Sequence, residues 1–408
     1  MRKNTTYRTL QTAWQSSCRL WRMVCAGLAL LLLTPLASCE REPELHLFRG
    51  EDIDFDLVLV DLTLDVYWNY IIYDNVRYDW REEWYYGFDE TGPLSLDNIG
   101  YPTPTLFNLT RYYTGDQTPG PHTDPQKQTR PDKQFRQTIT KYGYFDFLAW
   151  NEPSEDKEGS TLLIDDYSNL DEVTATVTPT TYPSRYHAPR HTRAYNEPHD
   201  ALFSAYKTGE MINREHDGFD FDAENNIWVK HLPMELQPLT YIYLVQVILR
   251  NNDKIKELAD DQSILSGMAN SMVLNTGVAG NDAISVYYKL QKDLKKNCTW
   301  KYGEKVDITA GRLLTFGICG LSANKVTNRE DVKDPNTHWI DVQFRFTNDM
   351  DSTISFDVTD QVRNRWKGGV INLELKVDTV PMPRRSGGSA FDAVVKDYEE
   401  VEYDPFEM

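Results

Sequence analysis

The clearest pattern in this chain is a period-two alternation of apolar and polar side chains between Val58 and Tyr70. Successive side chains of a β-strand point to opposite faces, so this alternation is typical of a strand with one buried face. The even positions of the run are all apolar or aromatic: Val58, Val60, Leu62, Leu64, Val66, Trp68 and Tyr70. A helix would spread the same residues around its whole surface, so the pattern predicts a strand.

A second segment, LQPLTYIYLVQVILR at 236–250, is almost continuously apolar, which predicts a strand buried on both faces. FDFDAENNIWVKHL at 219–232 is typical of a hairpin. Other stretches with strand composition lie at 135–153, 160–179, 284–292, 311–318, 339–347, 353–358 and 370–377. Helical segments do not alternate with these strands. We therefore predict an all-β fold of two antiparallel β-sandwich domains with long loops and an extended C-terminal tail.

Four segments lack a clear strand pattern. Residues 74–135 begin with aromatic and charged residues and continue into a stretch rich in Pro, Gly and Thr, which predicts a long irregular insert. DALFSAYKTGEM at 200–211 predicts one or two helical turns, and 261–277 predicts a loop with a short helix. PMPRRSGGS at 381–389 predicts a flexible linker.

The last segment, after the linker, is acidic and again alternates. Its apolar side chains fall at odd positions: Phe391, Ala393, Val395, Val401 and Tyr403. The segment is either a strand that can detach and pair elsewhere or a disordered tail.

The first forty residues have the order of a secretory signal peptide. Five cationic residues and no acid precede an apolar run at 23–37, which is too short for the ~20 residues of a spanning helix. The run ends in Leu36-Ala37-Ser38-Cys39, which resembles the bacterial lipobox, in which the cysteine is acylated after cleavage. The alternative is an ordinary signal peptide that ends near a cysteine. Acylation at Cys39 would anchor the protein to a membrane without spanning it.

The acidic run CEREPE, which begins at Cys39, resembles the export signal that sends lipoproteins of Bacteroidetes to the outer face of the outer membrane. We therefore expect a lipid-anchored, surface-exposed protein of the outer membrane. The predicted organisation is a signal peptide at 1–38, an acylated tether at 39–52, an N-terminal domain at 53–225 with the insert 74–135, a C-terminal domain at 226–380, and a linker and tail at 381–408.

Charge and cysteine content exclude several classes of function. The formal net charge is −19, and removal of five cationic residues with the signal peptide leaves about −24, which argues against nucleic acid as a partner. Cys298 and Cys319 remain beside Cys39 in the mature chain. They either form a disulfide after export or stay unpaired. Their spacing gives no zinc site, and no cofactor is expected.

No motif of a known catalytic class occurs in the sequence, so we predict a protein without enzymatic activity. His187, His191 and His199 share one loop, where solvated histidines are a better interpretation than metal ligands. Alternating oxygen ligands between residues 217 and 226 resemble a calcium loop but lack its terminal glutamate, so a solvated hairpin turn is favoured. These residues are Asp217, Asp220, Asp222, Glu224 and Asn226.

Aromatic residues concentrate in the insert. Trp80, Trp84, Tyr85 and Tyr86, with Phe88 close by, have two interpretations. Either they form an exposed platform that stacks on sugars, or they cover a sheet edge as part of the core. Packing is the more common fate of aromatic clusters in β-proteins.

Three segments, SGMANSMVLNTG at 266–277, GRLLTFG at 311–317 and FDVTDQV at 356–362, resemble in this order a family of Bacteroidales surface lipoproteins without assigned activity. That family is similar to the fimbrillins and fimbrial anchor proteins. GYFDFLAWN at 143–151 and YIYLVQVI at 241–248 are similar to strands of its two domains. The resemblance implies two sandwiches of transthyretin-like type, an acylated cysteine, and a role in fimbria anchoring, assembly or adhesion.

Two functions follow as hypotheses. In the first, the protein is a fimbrial anchor or accessory subunit that contacts other subunits by strand addition, with 391–403 as the donor strand. In the second, it is a surface lipoprotein that binds glycans through the aromatic residues at 80–86.

Overall fold

The computed structural model describes residues 56–65, 70–73, 76–153, 162–165, 167–180, 193–198, 200–384 and 393–395. The predicted signal peptide, the tether and Cys39 lie outside these residues. Within them, strands dominate and the helices are short. This confirms the all-β fold class.

The strands before residue 240 are β1 (Asp56–Thr63), β2 (Tyr70–Tyr73), β3 (Val76–Asp79), β4 (Phe107–Gly115), β5 (Thr123–Arg130), β6 (Gln134–Ile139), β7 (Gly143–Asn151), β8 (Leu162–Asp165), β9 (Thr174–Val177), β10 (Ala194–Asn196), β11 (Phe203–Ile212), β12 (Asp220–Asp222), β13 (Ile227–Glu235) and β14 (Gln237–Pro238). The strands after residue 240 are β15 (Tyr241–Arg250), β16 (Ile255–Leu258), β17 (Gln262–Ala269), β18 (Ser271–Val273), β19 (Ala283–Leu290), β20 (Lys295–Thr299), β21 (Lys305–Thr315), β22 (Trp339–Phe346), β23 (Asp351–Asp357), β24 (Gly369–Lys376) and β25 (Ala393–Val395). The helices are α1 (Leu96–Ile99), α2 (Thr359–Asn364) and 3₁₀ turns at Trp80–Glu82, Lys301–Gly303, Ala323–Lys325, Arg329–Asp331 and Val377–Thr379.

Two sheets form the first sandwich. One has the order β12-β13-β1-β6 and the other has the order β14-β11-β7-β4-β5. Val58, Val60 and Leu62 of β1 share one buried cluster with Phe145 and Phe147 of β7. The alternation predicted from residue 58 onward is therefore confirmed over β1, where every second side chain is buried.

The second set of strands forms one large sheet with the order β24-β15-β21-β19-β17-β22-β23-β25, and β10, β16 and β20 pair at its sides. Its neighbouring strands are antiparallel except for β15 with β24, β23 with β25, and β10 with β19. The predicted strand at 236–250 is confirmed as β15, which is buried on both faces along almost its whole length.

The two sets of strands are interleaved along the chain. β13, which follows the predicted boundary at 225/226, pairs with β1, whereas β10, which precedes that boundary, pairs with β19. Tyr112, Leu148 and Trp150 of β4 and β7 belong to the larger core of the second set. The division at 225/226 therefore does not separate the strands, and the two sets share apolar packing.

Three segments differ from their predictions. Residues 200–211 form most of β11 rather than helical turns, and 261–277 contain β17 and β18 rather than a loop with a short helix. The predicted irregular insert 74–135 contains β4 and β5.

Candidate functional site

The aromatic residues of the insert lie in the core and do not form an exposed platform. Trp80, Trp84 and Tyr86 are 1%, 6% and 7% exposed, and Tyr85 is partly buried. Their rings pack against the face of β15 and β21 that points away from the larger core. The side chains on that face include Ile242, Leu244, Ile248, Ile308 and Leu314. Buried rings offer no face on which a sugar could stack, so the packing interpretation is the one the structure supports.

Gln246 fastens this aromatic segment to β15. The side chain is fully buried, and its Oε1 accepts hydrogen bonds from the backbone N–H groups of Tyr85 (3.0 Å) and Tyr86 (3.1 Å). Its Nε2 donates to the carbonyl oxygen of Glu83 (2.6 Å) and to Oδ1 of Asn372 (2.5 Å). Buried polar groups are destabilising unless they are paired, and here the carboxamide is fully used. The sequence signal for this contact is Gln246 itself, a polar residue inside the apolar run YIYLVQVILR.

A polar cleft of about 280 Å³ opens beside the same segment. It lies between the chain at Glu83, the turn at Lys301, helix α2 and strand β24. The charged residues that line it are Glu83, Asp357, Asp360, Lys301, Arg329 and Arg365. Asp357 and Asp360 lie in the segment FDVTDQV, which carries the family resemblance. No sequence pattern joins them to the other charged residues of the cleft, because these residue types are common on surfaces and come from four distant segments.

An ion pair fixes one wall of the cleft. Arg365 lies 3.1 Å from the Glu83 carboxylate, and its guanidinium carbon lies 4.0 Å from the centre of the Tyr78 ring. The Tyr78 hydroxyl donates to Glu83 at 2.7 Å. Burial raises the pKa of Tyr78 well above its ordinary value, so the phenol remains protonated and able to donate. Three charged or polar groups thus hold one another in place.

Helix α2 forms the opposite wall and covers the outer edge of β24. The Gln361 side chain donates from Nε2 to the carbonyl oxygen of Asn372 (2.9 Å) and accepts the N–H of Asn372 through Oε1 (2.8 Å). A neighbouring strand would make the same two bonds, so Gln361 blocks strand pairing at this point of the edge.

Two other side chains of α2 line the cleft and are unused. Oδ1 of Asn364 is buried without a hydrogen-bond partner, and Asp360 makes no hydrogen bond or ion pair within the described part of the chain. Both residues line the cleft, and no described residue uses these hydrogen-bonding groups.

Two of the segments that carry the family resemblance, 266–277 and 356–362, meet around His338. Nδ1 of His338 lies 3.0 Å from the carbonyl oxygen of Ser266, and the His338 N–H donates to Oγ1 of Thr359 at 2.9 Å. Gly267 has a φ of +84°, and a Cβ there would lie 2.7 Å from Nδ1 of His338. Packing and backbone geometry therefore explain why these residue types occur there.

His338 also forms an ion pair with Asp334 that is completely buried, with Nε2 and Oδ2 2.6 Å apart. Burial by itself would raise the pKa of Asp334. The hydrogen bond from His338, together with the charges of His338 and Arg363, outweighs burial and holds that pKa below its ordinary range. The pair fixes the loop before β22.

The acidic residues at 217–226 close a hairpin. Asp222 accepts hydrogen bonds from the backbone N–H groups of Glu224 and Asn225 and from the Asn225 side chain. No group of three or more His, Cys, Asp or Glu side chains in the described ranges is placed to hold a metal ion. His187, His191 and His199 lie outside those ranges.

Cys298 and Cys319 are unpaired. Burial raises the pKa of both thiols, that of Cys319 to about 11. The thiolate is the reactive form, so neither cysteine is set up as a nucleophile.

The predicted donor segment is described only in part. Ala393 and Val395 lie in β25, which runs parallel to β23 with Ala393 opposite Ile354 and Val395 opposite Phe356. Phe391, Val401 and Tyr403 lie outside the described residues, as does Cys39. No helix among the residues that the structure describes has the length and apolar character to cross a membrane.

No protein-family model matches the chain, and no curated protein sequence matches it. Several solved structures resemble it. A candidate adhesin from Bacteroides ovatus is 11% identical, with 84% of this chain and 93% of that chain covered and a TM-score of 0.45. The fimbrial anchor protein Mfa2 from Porphyromonas gingivalis is 12% identical over 78% and 90% of the two chains, with a TM-score of 0.39.

A candidate cell-adhesion protein from Bacteroides eggerthii is 10% identical over 84% and 93% of the chains, with a TM-score of 0.38. Candidate adhesion proteins and a fimbrial anchor protein are thus among the structures similar to this chain. At these identities and TM-scores, the likeness assigns no ligand or partner.

Proposed function

We propose that this protein is a non-enzymatic cell-surface lipoprotein that acts in adhesion or fimbria assembly through strand addition. The observation that supports the proposal is the pairing of β25 with β23. A segment beyond the predicted linker lies as an added strand on the edge of a sheet, held by backbone pairing across three residue positions. The same segment is then suited to pair with an edge strand of another subunit.

Three sheet edges differ in how they are protected. β5 is a long exposed edge, but it contains Pro125 and charged side chains, which discourage pairing. The outer edge of β24 is covered by Gln361. The edge of β23 is covered by the tail itself, so release of the tail would expose an unprotected edge at the same time as it frees a donor strand.

A proline in the tail strand tests strand addition. Proline cannot donate a backbone hydrogen bond, so we expect Val394→Pro in the full chain to abolish co-purification of surface subunits from the native membrane. Val394→Thr is the matched control, because threonine keeps the N–H and favours strands, and it should retain them. Equal recovery of the same partners with both variants would contradict the proposed donor role of 391–403.

The lipid anchor at Cys39 forms part of the proposal. We expect the native protein to incorporate a clickable palmitate analogue and to remain with the outer membrane, and we expect Cys39→Ser to lose both properties. Label retained in the Cys39→Ser variant would place the acyl chain elsewhere.

A further inference from the structure

The cleft beside α2 points to a binding site that strand addition does not use. We propose that this cleft takes a neutral, hydroxyl-rich ligand, namely a saccharide, and that the ring of Tyr302, which follows the lining residue Lys301, contacts the same ligand. The site is separate from Trp80, Trp84 and Tyr86, whose rings are buried.

The charges of the cleft identify the class of ligand. Three acidic and three basic side chains line it, so their formal charges cancel and neither an anion nor a cation is favoured by net charge. Val370 is the one apolar residue in the lining, which disfavours a lipid chain or the apolar side chains of a peptide. A hydroxyl group both donates and accepts hydrogen bonds, so a polyhydroxyl ligand can use carboxylates, guanidinium groups and amides together.

The polar groups of the cleft are already held in place. Arg365, Glu83 and Gln361 are each fixed by hydrogen bonds or ion pairs within the protein, so a ligand would not have to order them. Asn364 and Asp360 have hydrogen-bonding capacity that no described residue uses. The volume, about 280 Å³, lies just below the range of about 300–1,000 Å³ for small-molecule sites, which favours a ligand of one or two sugar rings.

Tyr302 is an exposed aromatic residue next in sequence to the cleft. It follows Lys301, a lining residue, at the tip of the β20–β21 hairpin, and it is 90% exposed with a φ of +56°. Bulky residues rarely adopt this backbone conformation, which glycine adopts easily. Tyr302 and Gly303 both have positive φ, as the two central residues of a tight hairpin turn require, and the N–H of Glu304 closes that turn on the carbonyl oxygen of Lys301. The turn holds the Tyr302 ring in solvent, and an aromatic ring is suited to the apolar C–H face of a sugar.

The test uses the full chain in detergent against an array of neutral and charged glycans, followed by calorimetric titration with the neutral oligosaccharide that binds best. We expect binding of neutral glycans. We also expect Asp360→Ala to weaken it by about tenfold, as the loss of one hydrogen bond to a charged group implies. Asn364→Ala and Tyr302→Gly should weaken it as well, with no loss of melting temperature. Glu224→Ala, at an exposed position in the β12–β13 hairpin, is the matched control.

Absence of neutral glycan binding, a preference for charged glycans, or variants that bind as tightly as Glu224→Ala would each overturn the proposal. None of these variants lies in the tail or in β23. Failure of the saccharide site would therefore leave strand addition untouched, and failure of the Val394→Pro experiment would leave the cleft untouched.

Discussion

Single polar side chains hold distant segments of this molecule together. Gln246 bonds the aromatic segment to β15. Nζ of Lys254 lies within hydrogen-bond distance of the carbonyl oxygens of Val377 (3.3 Å), Asp378 (2.7 Å) and Val380 (2.8 Å). In each case one long side chain binds several backbone groups of a distant segment.

Replacement of Gln246 by leucine should be strongly destabilising. Leucine nearly fills the same space but leaves two backbone N–H groups and one carbonyl oxygen buried without partners. We expect the free energy of unfolding to fall by about 2–4 kcal/mol in urea titrations. Gln126→Leu, at an exposed position of β5, should change it by less than about 0.5 kcal/mol. Similar effects of the two substitutions would contradict the role given to Gln246.

Glu197 should make stability depend on pH. Burial raises its pKa to about 7 from an ordinary value of 4.5, although the N–H of Leu314 and the charges of Arg312 and Lys289 act in the opposite direction. The folded state then binds this proton more tightly than the unfolded state, so stability falls as the pH rises from about 4.5 to 7 and stays reduced above that range.

We expect Glu197→Gln, which keeps an acceptor for Leu314, to raise the free energy of unfolding at pH 8 by on the order of 1–2 kcal/mol. At pH 4 the two proteins should be nearly equally stable, because the carboxyl group is then neutral in the folded state and mostly neutral in the unfolded state. Urea unfolding at the two pH values measures the difference, and an equal gain at both would rule out titration of Glu197 as its cause.

At the scale of elements, β-bulges interrupt the regular pairing of two strands. The pairing of β11 shifts between Lys207 and Glu210, and that of β17 shifts between Ser266 and Met268. A glycine with positive φ, Gly209 or Gly267, lies in each bulge.

Comparison of Gly267→Ala with Gly218→Ala should separate two contributions to the loss of stability. One is the cost of a side chain at positive φ, and the other is the steric overlap of the added Cβ with its neighbours. A Cβ at 267 would lie 2.6 Å from the carbonyl oxygen of Thr337, whereas a Cβ at Gly218, which has a similar φ of +76°, would meet nothing within 4 Å. We expect Gly218→Ala to cost about 1 kcal/mol of unfolding free energy and Gly267→Ala to cost about 3–5 kcal/mol. Equal losses in chemical denaturation would show that His338 and its loop move aside freely.

Some strands could be predicted from the sequence and others could not. β1 and β15 were predictable because an unbroken alternation or a long apolar run marks each of them. In β11 the extra residue shifts the alternation by one position, so the period-two pattern disappears. β17 is buried on both faces, and small and polar residues interrupt its apolar run. β5, TDPQKQTR, has almost no buried side chain and carries no apolar signal. The cleft was not predictable, because Glu83, Lys301 and α2 meet only through the sheet order.

At the scale of the whole molecule, the two sets of strands share apolar packing. The sequence predicts two domains, yet Trp150 of β7 is 1% exposed and belongs to the larger core beyond the first sandwich. The aromatic segment between β3 and β4 likewise covers β15 and β21. Both contacts join chain segments on opposite sides of the predicted boundary.

We expect the protein to unfold in one cooperative transition, with a calorimetric enthalpy equal to the van 't Hoff enthalpy. Trp150→Ala should lower the free energy of unfolding by about 3–5 kcal/mol and should shift the whole transition. Two separate transitions in the unmodified protein would show instead that the two sets of strands fold independently.

Lys254 and Asn348 hold the chain just before the tail by hydrogen bonds to its carbonyl oxygens. This attachment affects any other strand that could replace β25 on the edge of β23. Asn348 donates to the carbonyl oxygen of Pro383 at 2.8 Å, so the chain is tied down near the start of β23, and eight residues separate Arg384 from Ala393. Short tethers give effective concentrations in the millimolar range. A soluble peptide at micromolar levels would therefore lose to the resident strand, and a successful partner has to offer a longer ladder than the three positions that β25 occupies.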